Sequence, residues 1–130
     1  MSFLSADQIL QAEDRRYEEV LTPEWGGKVR IRSLTGNEVD SWQDNLPRDK
    51  KGKVSTENLR ASLVAQVVVN EQGERLFAGK NMLTQLGNKA AAPLDRIFEA
   101  AQRMNGLKEE DIEELMEGFG EVPDEASTSD

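Results

Sequence analysis

The stretch LTPEWGGKVRIRSLTGNEV, residues 21–39, decides the fold. Its centre alternates Lys28, Val29, Arg30, Ile31 and Arg32. That two-residue period is the mark of a strand with one face buried. The run from Tyr17 to Leu21 is a matching partner on the other side of the turn. Pro23 stops the first strand because it has no N–H to donate to a ladder. Gly26 and Gly27 supply the backbone freedom that a tight return needs. The result is a β-hairpin with Trp25 on its loop. Two roles suit Trp25: a lid folded over the apolar face of the sheet, or an exposed aromatic anchor for a partner. The stretch then ends in a helix start. Thr35 and Glu38 form a capping box, with Leu34 and Val39 placed as its hydrophobic staple. Val39, Trp42 and Leu46 continue at helical spacing, so a helix is expected over 36–45, stopped before Pro47, with Trp42 in the core.

The same start signal occurs upstream. Ser5 and Gln8 make a capping box, Leu4 and Ile9 a staple, and a helix is expected over 6–14. Downstream of the corner, residues 47–55 (PRDKKGKVS) read as a solvated, flexible loop. Ser55 or Thr56 then caps a third helix in which Leu59, Leu63 and Val67 share a face. Val67, Val68 and Val69 are β-branched and fit a strand equally well. A helix to about Val68 is expected, then a tight turn or short hairpin with its turn at 71–73 that returns Leu76 and Phe77 to the core. A short helix over 80–86 carries Met82, Leu83 and Leu86, and Gly87 ends it. Leu94, Ile97, Phe98, Ala101 and Met104 form the clearest helical stripe, with Asn88 as a candidate cap and Gly106 as the stop. A last helix over 108–118 places Glu109, Glu110 and Asp111 in its first turn, where the helix dipole favours acids. Its stripe is Ile112, Leu115, Met116 and Phe119. It either docks on its own domain or is offered to a partner as a helix-in-groove ligand.

These elements sum to an α+β, mostly helical single domain over 1–119. It has a small antiparallel β-hairpin near the N-terminus and a disordered acidic tail over 120–130. The 130 residues suit one core, and no apolar run is long enough to cross a bilayer. The N-terminus lacks the basic start and apolar core of a secretory signal, which points to a cytoplasmic protein.

Composition narrows the chemistry. There is no cysteine and no histidine, hence no disulfide, thiolate nucleophile or zinc finger, and no imidazole for proton transfer or metal binding. The net charge of −9 is localised: residues 107–130 hold ten acids and one base, whereas residues 1–106 hold fifteen of each. A nucleic-acid binder needs a basic footprint, and none is present. Adjacent acids such as Glu18–Glu19 and Glu109–Glu110 do not make the converging pair that acid–base catalysis requires. Phosphate-loop, nucleophile-elbow and calcium-loop patterns are absent. The expectation is no enzyme, no catalytic residue, no metal and no cofactor. What remains is surface: Trp25, Ile112, Leu115, Met116 and Phe119 are the candidate partner-binding residues, with Met82, Met104 and Met116 as adaptable contact surface.

Three segments carry a resemblance in their order and spacing: PEWGGKVRIRSLTGNE (23–38), LVAQVVVNEQGERLF (63–77) and LDRIFEAAQRMNGLKEEDIEEL (94–115). Together they resemble the tail assembly chaperones of long-tailed, siphovirus-type bacteriophages, over most of the chain from Phe3 to Phe119. The resemblance implies a protein that binds and solubilises the tape measure protein, the long helical rod that sets tail length. It also implies help in recruiting tail tube subunits, residence in the host cytoplasm and absence from the mature virion. In many such phages a ribosomal frameshift yields a longer form with an added C-terminal domain. Self-association of the chain is compatible with its apolar helix stripes. The competing readings are a minor virion structural protein, such as a tail completion or neck protein, and a small acidic adaptor of bacterial regulation.

Overall fold

The structure is a computed structural model and describes residues 2–117. The candidate residue Phe119 and the expected tail over 120–130 lie outside them. Six helices and a three-stranded antiparallel sheet are present among the described residues. Helix α1 spans Ala6–Gln11, and β1 (Tyr17–Thr22) and β2 (Gly27–Arg32) flank a short 3-10 turn at Pro23–Trp25. Helices α2 (Gly36–Asp44) and α3 (Thr56–Val67) follow, then strand β3 (Val68–Val69), and helices α4 (Lys80–Gly87), α5 (Ala91–Met104) and α6 (Glu109–Glu117) complete the order.

The hairpin forms in the register that its alternation demands. Val20 faces Val29 and Glu18 faces Ile31, which puts Val20, Thr22 and Ile31 on one buried face. The opposite face carries Tyr17, Glu19 and Leu21 beside Lys28 and Arg30. There Arg30 lies 4.1 Å over the Tyr17 ring, and Lys28 meets Glu19 at 2.9 Å. Pro23 ends β1, and Gly26 closes the turn with φ +80°, a value that favours glycine.

The valine run 67–69 resolves both ways. Helix α3 ends at Val67, and Val68 and Val69 then pair with Ile31 and Arg30 of β2. The hairpin thereby gains a third strand through a partner more than thirty residues away in sequence. Asn70 builds the following turn: its side-chain oxygen accepts from the amides of Gln72 (2.8 Å) and Glu74 (3.0 Å). Of the two residues expected to return to the core, only Phe77 packs against it. Leu76 is 45% exposed.

Helix α3 is the centre of the domain. Seven of its twelve residues are buried, and it packs on α2, α4 and α5. Helix α5 also packs on the hairpin, burying Leu94, Ile97, Ala101 and Met104. Trp42 is 2% exposed and donates its indole N–H to the Ser62 hydroxyl at 2.8 Å, which joins α2 to α3 in the core. Met104 is a core residue and not adaptable surface.

Both capping boxes form as read. Other boundaries move. Helix α1 stops at Gln11, short of residue 14, because the chain must extend to enter the sheet: Arg16 N–H and Ser33 N–H are both used across residues 16 and 33 at 2.8 Å. Asn88 is the C-cap of α4, and α5 starts without a side-chain cap. The loop after Pro47 is built, not loose. One Asp49 carboxylate oxygen accepts from the amides of Lys51 and Lys53, and Val54 is buried.

Candidate protein-binding surface

The hairpin tip and α4 form an apolar groove of about 230 Å³. Met82, Gln85 and Leu86 line it at i, i+3 and i+4, one face of α4, and Lys89 joins them just past the end of the helix. Trp25 and Phe77 complete the lining, and both are half-buried. Trp25 therefore does two jobs at once: part of its ring packs on the core and part lines the groove. Phe77 also borders a second, larger cleft of about 380 Å³, between α2, α3 and the segment leading to α4.

The position of Trp25 is fixed by its neighbour. Arg96 of α5 grips the Glu24 carboxylate through two hydrogen bonds of 3.0 and 2.9 Å and donates a third to the Leu21 carbonyl at 3.1 Å. The guanidinium holds the Glu24 carboxyl down at about 2, well below its usual range. Paired, bidentate geometry of this kind ties the hairpin tip to α5.

At the other end of the hairpin, Glu38 performs three tasks. It accepts from the Thr35 amide in the capping box, from Arg15 at 2.7 and 3.1 Å, and from Arg32 at 3.2 Å. The hydrogen bond from Arg15 is the largest reason its carboxyl sits at about 2. Arg32 is 8% exposed, and burial pushes its guanidinium down while Glu38 pushes it back up. Arg32 also donates to the Gln66 carbonyl at 3.0 Å. The cluster fixes where α1 leaves the domain.

Helix α6 uses its stripe on its own domain. Ile112 is 5% and Leu115 3% exposed within the core cluster, and Met116 is half-buried against it. The loop after Pro47 holds the far end of the helix. Val54 N–H donates to the Met116 carbonyl at 3.1 Å, and Arg48 donates to the Leu115 carbonyl at 3.3 Å. These are the unpaired carbonyls of a helix C-terminus, where cations are also favoured. Contact between Ile112 or Leu115 and a partner therefore requires α6 to lift away.

The sequence reading missed the most exposed apolar surface. Phe3, Leu4, Ile9 and Leu10 of the arm that contains α1 are all more than half exposed, and α1 buries nothing. The staple expected from Leu4 and Ile9 shields neither residue.

The carboxyl groups with shifted acidity, Glu24 and Glu38, are held low by arginine, whereas a general acid needs its pKa raised. A polar cleft of about 370 Å³ lies between the arm's base and α2, but its polar groups hold the fold together. Asn105 there accepts from the Leu34 amide at 2.7 Å and donates to the Ala101 carbonyl at 2.9 Å. Among the described residues no group of acids could hold a metal ion, and no helix is long and apolar enough to cross a membrane.

Comparison with known proteins adds one finding. No family model matches the sequence, and no curated protein matches it. A solved structure does: the tail assembly chaperone of bacteriophage HK97, at 18% identity and a TM-score of 0.51. The match covers 79% of this chain and 95% of that one. The chain shares its fold with that protein. At this identity the likeness lies in the path of the backbone, not in shared side chains. Within that fold, the surfaces that differ most from a polar exterior are the arm and the Trp25 groove.

Proposed function

We propose that the chain is a tail assembly chaperone of a siphovirus-type phage. In this reading it binds and solubilises the tape measure protein in the host cytoplasm, helps recruit tail tube subunits, and leaves before the virion is complete. It acts without catalysis, cofactor or metal. The observation that carries the reading is the fold, shared with the HK97 tail assembly chaperone over 79% of the chain. The surface agrees with it. A chaperone of this kind must offer apolar area to another polypeptide, and the arm and the Trp25 groove offer it. The cluster of acids in residues 107–130 keeps such a complex dispersed by charge repulsion. Many copies along one rod let each contact be weak while the sum is strong. Of the residues singled out in the sequence, Trp25 lines an open groove, which supports reading it as a partner contact.

The test is co-purification with the tape measure protein of the same phage, together with mass spectrometry of purified particles. The reading expects capture in the lysate and absence from the particle. Presence of the chain in stoichiometric amount in finished particles would make it a virion component instead, such as a tail completion or neck protein.

A further inference from the structure

The end of α6 and one end of the Trp25 groove are neighbours. The Met116 carbonyl of α6 accepts from the Val54 N–H at 3.1 Å, and Lys53 meets Glu117 at 3.8 Å. Glu57, in the first turn of α3, stands three residues after Val54, a step of at most about 10 Å. A Cβ placed on Gly87 would lie 3.8 Å from a Glu57 carboxylate oxygen and 3.9 Å from the Ala61 Cβ. Gly87 ends α4, and Leu86 and Lys89 on either side of it line the groove. These steps place the last turn of α6 roughly 20 Å from the Lys89 end of the groove.

The segment that follows α6 matches what the groove offers. Residues 118–130 read GFGEVPDEASTSD. They hold two large apolar residues, Phe119 and Val122, and four acids without a base. The groove is apolar along Met82, Leu86, Trp25 and Phe77, and Lys89 is the charged residue in its lining. Fully extended, residues 118–122 span about 17 Å and residues 118–130 about 45 Å. Both apolar residues are therefore within reach of the groove on their own chain.

We propose that residues 119–125 dock in the Trp25–α4 groove of the chain that carries them. Phe119 and Val122 cover its apolar lining, and Glu121, Asp124 and Glu125 lie beside Lys89. Gly118 and Gly120 give the backbone the freedom to turn back from α6. The contact is weak in itself and is sustained by the tether. A short flexible link sets an effective concentration of about 1 mM, so a contact with an intrinsic Kd of about 1 mM fills about half of the grooves. Any polypeptide that enters must displace the segment, and its affinity falls by the fraction of grooves left open. The contact lies within one chain and does not depend on the chaperone reading.

The absence of cysteine gives a direct test, because Ala126→Cys carries a single nitroxide label. In the labelled, 15N-enriched full chain, the nitroxide should broaden the Trp25 indole N–H and the Gln85 and Lys89 amides. Adding Phe119→Ser with Val122→Ser should cut that broadening at least about threefold, as the tethered contact is lost. Lys89→Glu should weaken it too, and Glu121→Lys with Asp124→Lys should restore it in the Lys89→Glu chain. The Trp42 indole, held by Ser62 in the core, should keep its resonance position in every variant and so reports an intact fold. A mixture of 15N-enriched chain without nitroxide and labelled chain without 15N should show no broadening at the groove. Broadening that survives the Phe119 and Val122 changes, a groove left sharp in the labelled chain, or no rescue by the charge exchange would each overturn the proposal. So would groove broadening in the mixture, which would assign the occupant to another molecule.

Discussion

Glu38 shows how one side chain ties several elements together. From the sequence it is the third residue of a capping box. In the structure it also neutralises Arg15 and the buried Arg32, which arrive from the arm and from β2. Removing the carboxylate leaves Arg32 without its counter-charge. Glu38→Gln should cost about 2–3 kcal/mol at pH 7, read by urea denaturation. The sign with pH follows from the lowered acidity. A carboxyl held at about 2 against 4.5 when free stabilises the fold above pH 4.5 and loses that contribution as pH falls toward 2. The gap between wild type and Glu38→Gln should therefore narrow on acidification from pH 5 to pH 2.5. Glu24 has the same sign, but water screens it and its share is small. Gly73 is the second telling residue. Its φ is +83°, and an added Cβ would lie 2.9 Å from the Tyr17 hydroxyl oxygen. The tyrosine end can swing aside; the backbone cannot. Gly73→Ala should cost about 1–2 kcal/mol, and adding Tyr17→Phe should recover only a minor part in a thermal melt.

At the scale of elements, local signals were legible and distant ones were not. Both capping boxes, the hairpin and the stripe of α5 follow from residues a few positions apart. Their physics is local, so the sequence displays it. The valines at 67–69 carry no such instruction. They satisfy helix and strand alike, and the choice at Val68 is made by Ile31 on a strand far upstream. The sequence of the loop after Pro47 reads as loose because no aromatic or helical frame accompanies its basic residues. Its partner is the C-terminal end of α6, more than sixty residues away. Helix α6 itself had two readings, and its stripe left both open. Burial of Ile112 and Leu115 assigns the stripe to the domain's own core. Leu115→Ala should therefore cost about 2–4 kcal/mol, and hydrogen exchange should speed up through α6 before the rest of the domain opens. A variant of unchanged stability that only lost partner capture would place α6 at an interface instead.

The whole molecule divides into a neutral body and a run of acids after Leu107. The charge map is visible in the sequence, and so was the position of Trp25 on a turn. The groove was not, because α4 and the hairpin tip are joined only by the fold. The arm was hidden for a different reason: a capping box followed by apolar residues reads as a buried helix, and only three dimensions reveal that nothing covers it. In the proposed function this chain works by covering the apolar surface of other polypeptides. Co-expression with the tape measure protein of the same phage measures that claim most directly, through the share of tape measure protein that stays in the supernatant after centrifugation. That share should rise severalfold with the wild-type chain and fall back with Trp25→Ala. A tape measure protein that pellets equally with and without an excess of the chain would contradict it.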